Sequence, residues 1–246
     1  MNKIMEVLER LDQFELVDLT HPLEEDMPVY PSHSRYFHTL WDSPKTGSLS
    51  LAYQLIINEH CGTHMDATAH FLAPEHPAHR YMSETDPRRF FGRARTLDFS
   101  SFSDRDLVSV SDIRKWEERH HPIEAGDIVL FRFGWDRYWK PRSVDRTYTD
   151  SWPGISEAAA SYVVEKSVKA VGCDTLAIDS SYADRAPAHY VLLGNGVNII
   201  ENLTRLDRVT GESLIFALPL KIKEGSGSPI RALAFVEKRV PLNGRD

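Results

Sequence analysis

The sequence is poor in cysteine, and it contains no long hydrophobic run. Its 246 residues include only two cysteines, Cys61 and Cys173, which are too few for a disulfide framework and form no C-x-x-C pair. The longest strongly apolar run, 214–220, is far shorter than the ~20 residues needed to span a bilayer. The first 14 residues lack the continuous apolar core of a signal peptide. These absences predict a cytoplasmic protein with no membrane partner.

A surplus of basic residues is also missing. The chain has 29 Lys and Arg against 36 Asp and Glu, for a net charge of −7, which argues against a nucleic-acid partner. Its composition is that of an ordinary globular chain, and it has no internal repeat or low-complexity linker. We therefore predict a single domain over 1–246, with 1–14 as an N-terminal helical extension. Helical spacing in that extension is carried by Ile4, Val7, Leu8 and Leu11.

Segments with β-type patterning recur along the whole chain and outnumber the helices. They are 16–19, 51–57, 95–97, 128–133, 175–178, 197–200, 214–218 and 230–236. The polar and charged segment 140–150 predicts an exposed loop. Strands spread in this way favour an α/β fold, a single mixed domain with a substantial sheet, over a doubly wound parallel fold.

Two helices are predicted from capping residues and apolar spacing. A short helix begins at Ser111 or Asp112 and ends near His120. A longer helix covers 156–171, with the serine at its start as the cap. Gly172 follows it, where a left-handed C-terminal residue is expected. The pattern therefore predicts a helix, a tight turn and a buried strand in succession.

Histidine is concentrated in one part of the chain, since five of the 11 lie between positions 60 and 79. The segment EHCGTHMDATAHF follows a predicted strand, and its candidate ligands are His60, His64, Asp66 and His70. Imidazole and carboxylate together suit a divalent metal such as Zn, Mn or Fe, and three protein ligands leave a position for water. Gly62 lets the backbone curl so that the first two histidines converge. From spacing alone, a metal site and ordinary hydrogen-bonded histidines are equally open interpretations.

Further histidines and one carboxylate lie outside this segment. His76 and His79 stand among prolines, and they predict an exposed loop rather than a second site. His189 and Glu201 flank the apolar run LLGNGVNII much later in the chain. A carboxylate that ends a buried strand is costly unless it is paired or bound to a cation. From the residues alone, the favoured interpretation is that Glu201 points into solvent.

The segment HCGTHMDATAHF resembles the H-x-G-T-H-x-D-x-x-x-H-F signature of the cyclase family of metal-dependent hydrolases, which includes kynurenine formamidases and isatin hydrolases. The segments DLTHPLEEDMPVYP, GDIVLFRFGW and CDTLAIDSS resemble further family segments in the expected order. The resemblance covers 18–235. One residue departs from the pattern, because Thr68 stands where many members have proline and lacks that residue's fixed backbone angle.

This resemblance implies a compact β/β/α domain of the swivelling type that forms a homodimer or a larger homo-oligomer. It implies His70 as the catalytic histidine and a divalent cofactor, Zn or Mn, with one or two ions bound. The implied ligands are His60, His64 and Asp66 for one ion, with His189 and Glu201 helping to hold a second. Glu201 thereby becomes a candidate ligand.

The implied activity is cleavage of a small amide, lactam, formamide or lactone by a metal-activated water. The metal would lower the pKa of that water towards ~7, and His70 would relay a proton as general base or acid. The partner is thus a small-molecule substrate. Three aromatic residues are predicted to line its pocket, namely Tyr30, Phe37 and Trp41.

Two other interpretations remain open. His64, Asp66 and His189 match the two-histidine, one-carboxylate set of a non-haem iron oxidoreductase, although that set leaves His60 and His70 without a role and is typical of an all-β jelly roll. A non-catalytic metal-binding module would instead close its site with four protein ligands. An open water position on the metal would distinguish an enzyme from such a module.

Overall fold

The computed structural model describes residues 2–238, and within them the chain forms twelve strands and five α-helices. The strands are β1 Phe14–Asp18, β2 Phe37–Asp42, β3 Ala52–Ile56, β4 His64–Asp66, β5 Phe91–Asp98, β6 Leu107–Val108, β7 Ile128–Arg132, β8 Gly154–Ile155, β9 Ala170–Cys173, β10 Asn198–Glu201, β11 Gly211–Pro219 and β12 Gly227–Glu237. The helices are α1 Lys3–Leu11, α2 Val110–Arg119, α3 Thr147–Asp150, α4 Glu157–Glu165 and α5 Pro187–Gly194.

Eight strands form one sheet in the order β1-β12-β11-β5-β7-β9-β10-β4, and β12 also pairs with β4, so that the sheet curls into a barrel-like form. The central strands β5, β7, β9 and β10 run parallel, while β1, β4, β11 and β12 make antiparallel pairs. Strands β2 and β3 form a separate hairpin. The predicted mixed α/β fold with a substantial sheet is confirmed.

The two larger hydrophobic cores lie on opposite faces of β7. Val129 and Phe131 face helices α2, α4 and α5 in one core, whereas Ile128 and Leu130 face the inside of the curled sheet in the other. All four are fully buried. A parallel strand covered on both faces is apolar, which is why 128–131 is a continuous apolar run. In residues 2–238, no helix is both long and apolar enough to cross a membrane.

Seven of the eight predicted strand segments overlap observed strands, but the strand predicted at 175–178 is wrong. The strand in this region is β9, and α4 ends at Glu165 rather than continuing to 171. The apolar residues that extended the predicted helix belong instead to a short buried strand, and periodicity alone does not separate these two structures. The left-handed residue after the helix is Ser167, with φ 59°, and Gly172 lies inside β9.

Gly172 is required by close packing within the sheet. A Cβ at this position would lie 2.7 Å from Leu130 Cδ2 and 3.0 Å from Leu203 Cδ1. We expect Gly172→Ala to lower the free energy of unfolding by about 1–3 kcal/mol, measured by chemical denaturation. Gly194→Ala is the matched control, because nothing lies within 4 Å of its added Cβ at the end of α5. Equal losses in the two variants would contradict the packing argument.

Two further local predictions need correction. Helix α2 begins at Val110, and its cap is Ser109, which forms a capping box with Asp112; the predicted start at 111 or 112 placed the cap two or three residues too late. The segment 140–150 is not exposed throughout, since it contains α3 and the fully buried Tyr148. The Tyr148 hydroxyl donates a hydrogen bond of 2.8 Å to Asn202 Oδ1. The polar composition of 140–150 gave no indication that Tyr148 is buried.

Candidate metal centre

The register of the sheet assembles the first part of the site. His64 and Asp66 lie two residues apart on β4, so their side chains share one face. Glu201 on β10 is directly paired with His64, and it is buried rather than pointing into solvent. Gly62 adopts φ 60° in the turn before β4, where a Cβ would lie 2.5 Å from Leu23 Cδ2. The turn therefore needs glycine.

Five buried side chains converge at this point. His60 Nδ1 lies 2.7 Å from Asp66 Oδ1, and His64 Nε2 lies 3.5 Å from the same oxygen. His189 Nε2 lies 3.5 Å from Asp66 Oδ2 and 3.3 Å from Glu201 Oε1. Two groups could each hold a cation, with all ligand atoms within 4.8 Å of one another. We call them the first subsite (His60, His64, Asp66) and the second subsite (Asp66, His189, Glu201), and Asp66 belongs to both.

Hydrogen bonds outside the site determine which nitrogen of His60 carries a proton. The Ser226 hydroxyl donates to Glu59 Oε2 at 2.7 Å, as does the Ser226 backbone N–H at 2.8 Å. The hydroxyl oxygen can then only accept, and it accepts from His60 Nε2–H at 2.9 Å. Nδ1 is consequently the ring nitrogen that faces the site, 2.7 Å from Asp66 Oδ1. A neutral ring with its proton on Nε2 can bind a metal through Nδ1.

The other two histidines are oriented in the same manner. His64 Nδ1–H donates to the carbonyl oxygen of Gly62 at 2.9 Å, and His189 Nδ1–H donates to Asp179 Oδ2 at 2.6 Å. Each Nε2 is therefore the ring nitrogen that faces the carboxylates, and it can bind a cation when it carries no proton.

Three imidazole rings and the two carboxylates of Asp66 and Glu201 therefore face one another at the centre of the site. Among the described residues, the buried Asp66 Oδ2 has no hydrogen-bond partner. Converging buried acceptors repel one another unless positive charge lies between them. This donor set, nitrogen with oxygen, fits a divalent first-row cation.

The pKa values of the site residues are shifted by burial and by the charges of their neighbours. Burial lowers the pKa of His64 to about 4, which keeps this ring neutral at pH 7. Burial alone would raise the pKa of Asp66, but His70 and His60 hold it well below its usual range. Burial also raises the pKa of Glu201, and His189 only partly offsets this effect. Burial would lower the pKa of His60 and His189, but Asp66 raises the pKa of His60, and Asp179, Asp66 and Glu201 raise that of His189 well above its ordinary value. A cation in the site would therefore compete with protons for these two rings.

His70 lies beside the two subsites and belongs to neither. It ends the short turn Thr68–His70 that follows β4, and its ring stacks on His60 with centroids 3.8 Å apart. Burial lowers the pKa of His70 to about 4, so the ring is neutral at pH 7. Among the described residues its ring nitrogens make no hydrogen bond, and the ring lines the cavity. It is therefore free to exchange a proton with a bound molecule.

Thr68 links the turn that carries His70 to the loop that follows it. Its hydroxyl donates to the carbonyl oxygen of Ala78 at 2.5 Å and accepts from the Arg80 N–H at 2.8 Å. That loop carries His76 and His79, and neither of these histidines belongs to a subsite.

A cavity of about 990 Å³ opens over both subsites. Tyr30 lies on its wall together with three residues that the sequence did not indicate as site residues, His33, Phe71 and Trp152. Phe37 and Trp41 lie on the β2–β3 hairpin, 46% and 71% exposed, and they do not line this cavity. An aromatic side chain in the sequence therefore did not by itself show whether the residue lines the cavity or lies on the hairpin.

Sequence comparison places the chain among characterised hydrolases. The profile of the Cyclase family matches residues 17–180. Isatin hydrolase from Roseibium aggregatum is 28% identical, with 92% of this chain and 93% of that protein aligned. Kynurenine formamidase from Geobacillus thermodenitrificans is also 28% identical, with 88% of this chain and 95% of that protein aligned.

Solved structures are similar over nearly the whole chain. An isatin hydrolase bound to the product analogue thioisatinate superposes with a TM-score of 0.88 at 25% identity, covering 96% of this chain and 98% of that one. Isatin hydrolase A from Ralstonia solanacearum superposes with a TM-score of 0.84 at 27% identity, covering 96% of each chain. The likeness therefore includes the strands and loops that build both subsites.

Proposed function

Because the chain belongs to the Cyclase family, we propose that it is a metal-dependent hydrolase that uses an activated water to cleave a small amide, formamide, lactam or lactone bond. The observation that carries this proposal is the buried cluster of three histidines and two carboxylates, which opens into a cavity. The names of the relatives support a carbon–nitrogen bond in a lactam or a formamide as the target. A cation in such a site supplies Lewis acidity and lowers the pKa of a bound water to about 7.

We assign the ligands by atom. They are His60 Nδ1, His64 Nε2 and Asp66 in the first subsite, and Asp66, His189 Nε2 and Glu201 in the second. Zn²⁺ and Mn²⁺ are the proposed ions, because imidazole and carboxylate suit both. One or two ions would bind, depending on whether the second subsite fills.

His70 is the proposed catalytic residue. Its neutral ring can take a proton from the attacking water and return it to the leaving nitrogen or oxygen. Tyr30, Phe71 and Trp152 provide apolar walls on which a flat aromatic substrate can pack. Phe37 and Trp41 lie on the hairpin and do not line the cavity. Contacts between these two residues and the substrate therefore remain predictions.

The two other functions are less well supported. An iron oxygenase site of two histidines and one carboxylate would leave His60 and one buried carboxylate unused. The mixed sheet with flanking helices also differs from the jelly roll expected for such a site. A closed structural metal site would not open into a cavity of about 990 Å³. Hydrolysis therefore accounts for more of the site than either alternative.

The proposal is tested with metal-free protein reloaded with Zn²⁺ or Mn²⁺ and assayed without oxygen. The substrates are N-formylkynurenine, isatin and simple aryl esters. We expect hydrolysis of at least one of them, with activity lost to a chelator and restored by the metal. A loaded protein that hydrolyses none of them, or that turns over only with oxygen, would contradict the proposal.

We further propose that the protein is a cytoplasmic homodimer or larger homo-oligomer and binds no nucleic acid. The β2–β3 hairpin carries large apolar side chains that are about half exposed or more, namely Phe37, Leu40, Trp41, Tyr53, Leu55 and Ile56. A two-stranded hairpin is marginally stable alone, and an apolar patch of this kind marks an interface. A second copy of the chain that covers the hairpin would stabilise the two strands and bury the apolar patch.

Trp41→Asp is expected to shift the protein towards monomer, because it places a charge in the proposed interface. Analytical ultracentrifugation measures the change. Val144→Asp is the matched control, since Val144 is 72% exposed in a loop outside the hairpin. A monomeric wild-type protein, or an unchanged assembly in the Trp41 variant, would count against this interface.

A further inference from the structure

Asp179 is a buried carboxylate that neither subsite uses as a ligand. It lies in the loop between β9 and α5, and only 4% of it is exposed. Its Oδ1 accepts the backbone N–H of Ala188 at 2.8 Å, and its Oδ2 accepts the backbone N–H of His189 at 3.0 Å. The Trp152 indole N–H holds the Asp179 backbone by donating to its carbonyl oxygen at 2.8 Å. The carboxylate is therefore fixed in position at the start of α5.

The same carboxylate meets a third donor, the His189 ring. Oδ2 lies 2.6 Å from His189 Nδ1, so two oxygens serve three N–H groups. An ionised carboxylate can only accept hydrogen bonds, and this requires the ring proton to be on Nδ1. Nε2 is then the ring nitrogen that faces the second subsite, 3.5 Å from Asp66 Oδ2 and 3.3 Å from Glu201 Oε1.

We propose that Asp179 is a positioning residue that holds His189 in the Nδ1–H tautomer and thereby determines whether the second subsite binds a cation. The inference rests on the proposed metal-dependent function. It concerns the second subsite alone, because His60 and His64 are oriented by Ser226 and the Gly62 carbonyl. The first subsite should fill whether or not Asp179 is present.

An amide of the same size cannot replace this carboxylate. Asparagine offers one accepting oxygen and one donating NH₂ group to three converging donors. If the oxygen faces the His189 ring, the NH₂ group opposes the Ala188 N–H. If the NH₂ group faces the ring, it requires Nδ1 to accept, and the ring proton moves to Nε2, where it blocks the cation. Either arrangement weakens the second subsite.

The test is a Zn²⁺ titration of metal-free protein, followed by calorimetry and elemental analysis. We expect two ions per wild-type chain, and in Asp179→Asn we expect the second ion to bind 10–100-fold more weakly, the usual effect of removing a partner of a ligating histidine. The affinity of the first ion should stay the same. A general loss of structure would weaken the binding of both ions.

Asp174→Asn is the matched control. Asp174 is fully buried and accepts two backbone N–H groups, from Phe133 at 2.8 Å and Gly134 at 2.7 Å, but it contacts no ligand of either subsite. This variant should bind both zinc ions as the wild type does, even if its melting temperature falls. A selective loss of the second ion in the control would overturn the inference.

The wild-type protein offers a second readout that does not depend on any variant folding. Nitrogen-15 NMR of the zinc-loaded protein should show the His189 ring protonated at Nδ1 only. Protonation at Nε2, binding of a single zinc ion to the wild type, or two equally tight ions in Asp179→Asn would each overturn the inference and leave the hydrolase proposal standing. A wild-type protein that binds no zinc would instead refute the proposed function itself.

Discussion

Replacing Asp66 with asparagine is expected to empty both subsites and reduce hydrolysis by several orders of magnitude. Asp66 is the only residue that the two subsites share, and its Oδ2 has no other partner. Without a bound cation the pKa of the attacking water would rise from about 7 to its far higher value in bulk water. Steady-state assays measure the loss of activity, and elemental analysis measures the loss of metal.

Thermal unfolding separates this effect from a loss of structure. A ligand that binds only the folded protein stabilises it, by about 4 kcal/mol at a thousand times its dissociation constant. Zinc should therefore raise the melting temperature of the wild type and leave that of Asp66→Asn unchanged. Glu201→Gln is the control, because it alters the second subsite only and should retain one ion. Normal zinc content in the Asp66 variant would refute the shared-ligand assignment.

Replacing His70 with alanine is expected to leave the metal bound and to lower kcat by about 10²–10⁴-fold, the usual contribution of a positioned general acid or base. The reason is its location, stacked on the ligand His60 but outside both subsites. Its neutral ring faces the cavity and makes no competing hydrogen bond. Kinetics on the proposed substrates and elemental analysis of the same sample measure the two effects together.

His76→Ala is the control for this substitution. His76 lies in the neighbouring loop, is exposed and belongs to neither subsite, so its removal should change neither metal content nor kcat. Loss of metal from His70→Ala would instead make His70 a ligand. Full activity in His70→Ala would show that the proton moves by another route.

Local sequence indicated the first subsite without deciding between a metal site and ordinary hydrogen-bonded histidines. Its three residues lie within a short segment around Gly62, a residue that lets the backbone curl and bring His60 towards His64. The strand β4, which places His64 and Asp66 on one face, was not predicted. The resemblance to the Cyclase family assigned the three ligands and His70. Each of these inferences depends on neighbours in the chain.

Elements whose identity depends on packing were harder to predict. A strand was predicted at 175–178, but the strand in this region is β9. Sequence pattern missed it because a short buried strand and the end of a helix have the same apolar composition. Tyr148 was expected in an exposed loop, although its ring is fully buried. Of the aromatic residues that were predicted to line the substrate pocket, Tyr30 lies on the cavity wall, whereas Trp41 lies on the exposed hairpin.

The sequence by itself determined the family, the mixed α/β fold and the compact histidine segment, because these follow from short-range pattern. Only the tertiary structure decided that Glu201 is buried opposite His64, because the register of β4 against β10 brings them together. It also decided the state of each imidazole, since Ser226 reaches His60 across 166 positions of sequence. Such partners are set by how strands and loops pack, and no spacing in the chain encodes them.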